Sequence, residues 1–180
     1  MNNNCKIKSM GYTKIVSRIL YIAAMAASLC YFLTVLYSVI CLLTGWSTQE
    51  QGNGLYLHIL VPFTQQPFLV VDNNTSYIIF SFLLPLTLYG LFFWLSANVF
   101  RIFFQQKLFT QPHFRQLVVF CLTNLIVPLI AVFTARMFVD VENEMWMLVA
   151  VHFVLGLFAY FLAGIFRQGL ELQNEKDLFI

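Results

Sequence analysis

The sequence predicts an all-α membrane protein, a four-helix transmembrane bundle, and three observations predict it. Charge is scarce: 60% of the 180 residues are apolar, 10% are charged and 20 are Phe, too little charge to cover the surface of a soluble domain. The charges that exist are gathered between long uncharged windows. Four of those windows, about 19–43, 76–100, 117–139 and 145–166, reach or exceed the ~20 residues a helix needs to cross ~30 Å of hydrocarbon. Backbone amides find no water in that layer, so apolar stretches of this length form helices. The chain 1–180 reads as a single four-span membrane domain with a tail at 167–180.

Lys and Arg in the flanking segments set the expected orientation. Lys6, Lys8, Lys14 and Arg18 precede the first span; Arg101, Lys107 and Arg115 lie between the second and third; Arg167 and Lys176 follow the fourth. The segment 44–75 has no base and carries Glu50 and Asp72, and the turn 140–144 holds Asp140, Glu142 and Glu144. Both termini are therefore expected in the cytoplasm. Trp46, Tyr77 and Trp146 then fall at the outer interface, and Tyr12 and Tyr21 at the inner one, as aromatic belts do. The first apolar run is about twice the length of a secretory signal core, and Leu29 before Cys30 does not suit lipoprotein cleavage, so the run reads as a retained helix.

Taken in order, the first span offers Ala23, Ala24, Ala26, Ala27 and Ser28 as a face for close helix approach. The segment 44–75 begins with turn formers Gly45, Gly52, Asn53 and Gly54, then gives two β-prone runs, 55–63 and 68–71, separated by Gln65-Gln66-Pro67. Either a small extracytoplasmic hairpin or an irregular apolar loop in the headgroups fits that pattern. Pro85 and Pro128 each withhold one helical hydrogen bond and predict kinks in the second and third spans. In the loop 101–117, bases alternate with Phe103, Phe104, Phe109 and Phe114, which predicts bases among lipid phosphates and rings at the acyl boundary. Thr110 is placed to cap the third helix, with Pro112 in its first turn. Three bases beside a bilayer are explained by headgroups, so the bilayer is the expected partner and direct nucleic-acid binding is not.

No catalytic or metal-binding constellation stands out. The candidate intramembrane polar cluster is Asn98, Asn124, Arg136, His152 and Tyr160. Arg136 is the one formal charge inside a span, which at the bilayer centre costs about 2.5–3.5 kcal/mol; near the outer end it can pair with Asp140, Glu142 or Glu144. His152 shares a helical stripe with Gly156 and Tyr160, which can line a cavity or serve an interhelical hydrogen bond to Asn98, Thr123 or Asn124. Haem between helices asks for two membrane histidines, and only His152 qualifies. All eight acids lie outside the spans, unlike a proton-coupled exporter. Cys5, Cys30, Cys41 and Cys121 include only one, Cys41, near the outer face, so they read as packing thiols and not as a redox pair. With no H-E-x-x-H, G-x-S-x-G or phosphate-cradling loop, no cofactor is expected and the chain reads as non-enzymatic.

Two segments resemble a known family. Lys107-Leu108-Phe109-Thr110, followed by Arg115 and Gln116-Leu117, is similar to that family's Phe-Ser/Thr, variable residues, then Leu-Arg, with Phe114-Arg115 here in place of Leu-Arg. The ending Ile165-Phe166-Arg167-x-Gly169-x-Glu171-Leu172-Gln173-x-Glu175-x-Asp177-Leu178-x-Ile180 resembles the family's ending, with Phe179 where Thr is common. The family comprises bacterial four-span inner-membrane proteins grouped as a domain of unknown function. The resemblance implies the bacterial cytoplasmic membrane. Because genes of this family often lie beside a small helix-turn-helix regulator, it also implies such a regulator as a possible cytoplasmic partner.

The tail can also be read from its residues. Arg167 and Glu171 are four apart on a continued helix, and Gly169 weakens that helix by about 1 kcal/mol. Glu171, Glu175 and Asp177 outnumber Arg167 and Lys176, while the loop 101–116 and the N-terminal segment are wholly basic. That complementarity, with the apolar end Leu178-Phe179-Ile180, predicts docking of the tail within the molecule. The candidate cytoplasmic contact joins Arg101, Lys107, Phe109, Thr110 and Arg115 to Arg167, Gly169, Glu171, Leu172, Gln173, Glu175, Asp177 and Leu178. The expected role is that of a sensor, regulatory accessory or scaffold at the inner surface. The alternative is a small-molecule or peptide-handling protein, immunity-like or transporter-like, using a cavity around His152, Tyr160 and Asn124. Oligomeric state is left open, a homo-oligomer included.

Overall fold

The computed structural model describes the backbone of residues 3–177 and the side chains of residues 11–175. Helix α1 (Asn3–Thr44) is followed by strands β1 (Thr48–Gln51), β2 (Tyr56–Leu60) and β3 (Pro67–Asp72). Helices α2 (Thr75–Ile102), α3 (Gln111–Arg136) and α4 (Asn143–Asp177) complete the chain. All four helices are long and apolar enough to cross a membrane, so the fold is an all-α four-helix bundle with a small sheet at one end. The helices outrun the apolar windows because the two have different causes. Apolarity ends where hydrocarbon would end, whereas the helix continues wherever backbone bonds can, as through the Gln-, Glu- and Leu-rich tail. At the other extreme α3 stops at Arg136, short of the expected 139, and the chain turns through Met137 to Val139.

Packing divides the helices into two antiparallel pairs, α1 with α2 and α3 with α4, joined along a narrower α2–α3 seam. Small residues make the first pair close. On α1 the buried side chains are Ser17, Ala24, Ser28, Ser38 and Cys41; Ala23 and Ala26 of the expected face point outward. Facing them, α2 buries Gly90, Ser96 and Ala97, and the Ser28 hydroxyl donates to the Gly90 carbonyl at 2.9 Å. Where lipid surrounds the helices, such contacts hold them by dispersion and hydrogen bonding, since leaving lipid for protein releases no water.

The segment between α1 and α2 is ordered into a three-stranded antiparallel sheet, order β1-β2-β3. β2 and β3 form the hairpin the sequence allowed, with Leu57 opposite Val71 and Ile59 opposite Leu69. β1 is an addition: Thr-Gln-Glu-Gln has no apolar alternation to announce a strand, and it pairs because Gly52, Asn53 and Gly54 adopt positive φ and return the chain on itself. Ile59 and Val71 are buried beneath the sheet. The sheet is tied to the end of α1 by the Tyr37 hydroxyl, which donates to the Leu60 carbonyl at 2.5 Å. The Tyr37 ring also meets Trp46 and Phe68 edge-on.

The two prolines act differently. Pro128 lies inside an otherwise continuous α3. Ahead of Pro85, α2 widens into a π-helical stretch, Ile78–Leu83, where the Leu84 amide reaches the Ile79 carbonyl, so the bond lost to proline is absorbed by a change of helical register. At the end opposite the sheet, Val99 and Ile102 of α2, Leu117 of α3, and Ala163 and Phe166 of α4 form a buried cluster.

Candidate functional site

The structure gathers candidate residues at two places, the base around the tail and a cavity nearer the sheet. At the base, Phe109 and Gly169 are in direct contact. A Cβ built on Gly169 would stand 2.6 Å from Phe109 Cδ1, so only a residue without a side chain lets the tail helix lie this close to the ring. Phe166 meets Phe109 with ring centroids 5.2 Å apart and Phe103 at 6.2 Å, both edge-on. Thr110 caps α3 by accepting from the His113 amide, and His113 Nδ1 lies 2.8 Å from the Leu108 carbonyl. These two local bonds fix the turn that presents Phe109.

The contact is apolar where the sequence suggested charge. Arg167 Nε bonds Glu171 Oε1 at 3.0 Å within the tail itself. Arg101, Lys107 and Arg115 are exposed, and none is ion-paired with a tail acid among the described residues. Leu172 is 61% exposed, Gln173 is half-buried and Glu175 is exposed. The Asp177 and Lys176 side chains and all of Leu178, Phe179 and Ile180 lie outside the described residues, as do the side chains of Cys5, Lys6 and Lys8. The loop rings, expected at the acyl boundary, turn inward instead. Phe103, Phe109 and Phe114 pack on the buried cluster, and Phe104 sits against Tyr21 with the Arg18 guanidinium 5.6 Å over its ring. Inward packing wins because three helices and the tail converge here and leave a space that only large rings fill.

Of the five intramembrane polar candidates, only Asn124 and His152 meet. His152 Nδ1 lies 2.8 Å from Asn124 Oδ1, and Asn124 Nδ2 donates to the Phe120 carbonyl at 2.8 Å. Asn98 bonds the Trp94 carbonyl one turn back on its own helix. Tyr160 is 63% exposed, with its ring on Phe161. The face α4 turns inward runs through Gly156, Ala159 and Ala163, and Gly156 lies so near Leu125 that a Cβ would stand 2.7 Å from that side chain. Tyr160, one residue past Ala159, is thereby rotated outward. Arg136 is exposed at the end of α3 and forms no ion pair with Asp140, Glu142 or Glu144 among the described residues; the regular helix gives way to a turn over Met137–Val139 before those acids.

His152 and Asn124 line the deep part of a cavity of about 160 Å³ between α2, α3 and α4. Pro85 and Leu88 of α2, Pro128 and Ala131 of α3, and Leu148 and Val149 of α4 form its apolar walls, and Asp140 and Glu142 lie at the rim near the sheet. Phe80 stacks flat on Phe138, centroids 4.4 Å apart, beside that rim. Phe92 presents its ring edge-on to His152 at 5.0 Å. The sequence carries one signal for this space: prolines on two adjacent spans, each four residues after a polar residue, Ser81 before Pro85 and Asn124 before Pro128. Among the described residues no group of three or more His, Cys, Asp or Glu side chains could hold a metal ion. No protein-family model, curated protein or solved structure matches the chain.

Proposed function

We propose that this chain is a non-enzymatic sensor or regulatory scaffold of the bacterial inner membrane, with both termini in the cytoplasm and the tail end of the bundle as its working surface. One observation carries the reading: the fit of Gly169 against Phe109. The tail is held by an apolar contact that its acids do not share, so the exposed Glu175 and the exposed bases Arg101, Lys107 and Arg115 remain available to another molecule. A docked tail that keeps its charges outward suits a platform for a protein partner. The family resemblance suggests what that partner is, a small helix-turn-helix regulator encoded beside the gene. The topology belongs to the same proposal and rests on nine of the ten Lys and Arg residues lying before the first apolar window, between the second and third, and after the fourth.

The test is a bacterial two-hybrid measurement between the full chain and the helix-turn-helix protein that the resemblance implies beside its gene. Interaction is expected for the wild type and loss of signal for Gly169→Leu, which lifts the tail from Phe109. Absence of interaction with the wild type, or full signal from Gly169→Leu, overturns the reading. A role in handling small molecules is favoured by a separate observation, the cavity at His152.

A further inference from the structure

The His152–Asn124 pair at the deep end of the α2–α3–α4 cavity leaves one ring nitrogen without a donor. The Asn124 Nδ2 donates to the Phe120 carbonyl, and its Oδ1 lies 2.8 Å from His152 Nδ1. Since Oδ1 can only accept, Nδ1 carries the proton, and in the neutral ring Nε2 is then a lone-pair acceptor. His152 has no second hydrogen bond among the described residues and lines the cavity. Pro128, four residues after Asn124, cannot donate to the Asn124 carbonyl. Asn124 belongs to the lining.

Size and wall chemistry narrow what can enter. A water occupies roughly 10–15 Å³ of such space, so a cavity of about 160 Å³ admits a molecule of several heavy atoms. Between the polar groups at the deep end and Asp140 and Glu142 at the rim the walls are largely apolar, and ordered water needs two to four polar partners. A cation is disfavoured at that depth in a bilayer; a neutral donor is not.

We propose that this cavity binds a small, mainly apolar alcohol or phenol whose hydroxyl donates to His152 Nε2. The aromatic edge of Phe92 and the apolar side chains of Leu88, Val127 and Val149 enclose its body. The site lies away from the Gly169–Phe109 contact and does not depend on the regulatory reading.

The experiment uses the full chain in lipid nanodiscs, with 4-fluorophenol and 4-fluoroanisole followed by fluorine NMR against empty nanodiscs to subtract partitioning into lipid. The two probes differ in the donor alone. Saturable binding is expected for the phenol, about fivefold tighter than for the ether, as one net hydrogen bond of about 1 kcal/mol gives. His152→Phe should abolish the preference, and Ala131→Phe, which fills the cavity, should abolish saturable binding of both probes. Should Ala131→Phe fail to fold, Ser81→Phe fills the same space from the facing helix. Equal affinity for phenol and ether in the wild type, binding no greater than in empty nanodiscs, or binding untouched by the cavity-filling variant each overturns the proposal. A negative result here leaves the two-hybrid outcome unaffected.

Discussion

The Ser28 hydroxyl donates to the Gly90 carbonyl at 2.9 Å, and this bond joins α1 and α2 through residues with little or no side chain. Gly90 has no room to spare. A Cβ there would stand 3.1–3.2 Å from the Phe32 ring. Gly90→Leu is therefore expected to destabilise the α1–α2 pair by about 1–3 kcal/mol through overpacking, and Ser28→Ala by about 0.6 kcal/mol, the mean for interhelical bonds in bilayers. Equilibrium unfolding in bicelles measures both. Gly90→Leu at wild-type stability would show that the pair is not packed this tightly.

On the other side of the bundle Gly156 does the same for α3 and α4. Its added Cβ would meet Leu125 at 2.7 Å and the Cys121 carbonyl at 3.4 Å. The first neighbour is a side chain that can be shortened; the second is backbone that cannot. Gly156→Ala should cost about 1–3 kcal/mol alone, and Leu125→Ala in the same chain should recover part of the loss, a coupling of about 0.5–3 kcal/mol in a double-mutant cycle. Additive effects of the two substitutions would rule out the contact.

What the sequence made legible follows from which forces leave a local trace. The spans did, because the bilayer demands an unbroken apolar run, and the cap at Thr110 did, because it depends on residues three apart. The strand Thr48–Gln51 did not: its pairing is imposed by the Gly52-Asn53-Gly54 turn and a partner strand, and nothing in its own residues alternates. The inward faces were misread for a related reason. Small residues are necessary for close packing but do not say which of them face a neighbour, so Ala24 was a contact and Ala23 was not. His152 could be matched to Asn124 as one of three candidate partners, whereas Tyr160 could be excluded from the site only once Gly156 and Ala159 had fixed the rotation of α4. The tail contact was anticipated as electrostatic because charge is visible in a sequence; ring against glycine is visible only in three dimensions.

That difference can be measured at the base. The Arg167–Glu171 pair is exposed at both ends, 71% and 60%, and an exposed pair four residues apart on a helix contributes about 0.3–0.5 kcal/mol. Arg167→Ala and Glu171→Ala should each leave tail docking within about 0.5 kcal/mol of wild type and nearly independent of salt. Gly169→Val should undock the tail, because its side chain collides with Phe109. Crosslinking between cysteines introduced at 107 and 172, which leaves Phe109 in place, reads docking. Strong salt dependence, or undocking by Glu171→Ala, would restore the electrostatic account.

The sheet offers a readout of topology as well as packing. Cys41 at the end of α1 is 0% exposed, and Tyr37 one turn away holds the sheet over this end through its bond to Leu60 and its rings' contacts with Trp46 and Phe68. In a chain with Cys5, Cys30 and Cys121 replaced by Ser, a membrane-impermeant maleimide should label Cys41 slowly. Tyr37→Ala removes one hydrogen bond and two ring contacts, so the labelling rate should rise. A loss of about 2–4 kcal/mol, summing about 1 kcal/mol for the bond and about 0.5–1.5 kcal/mol for each of the two ring pairs, corresponds to a rate increase on the order of 30- to 1000-fold if labelling follows local opening. The faster labelling should occur from outside intact cells. Reaction only in inside-out vesicles would reverse the proposed orientation, and equally fast labelling in the parent chain would mean that the sheet does not cover this end of α1.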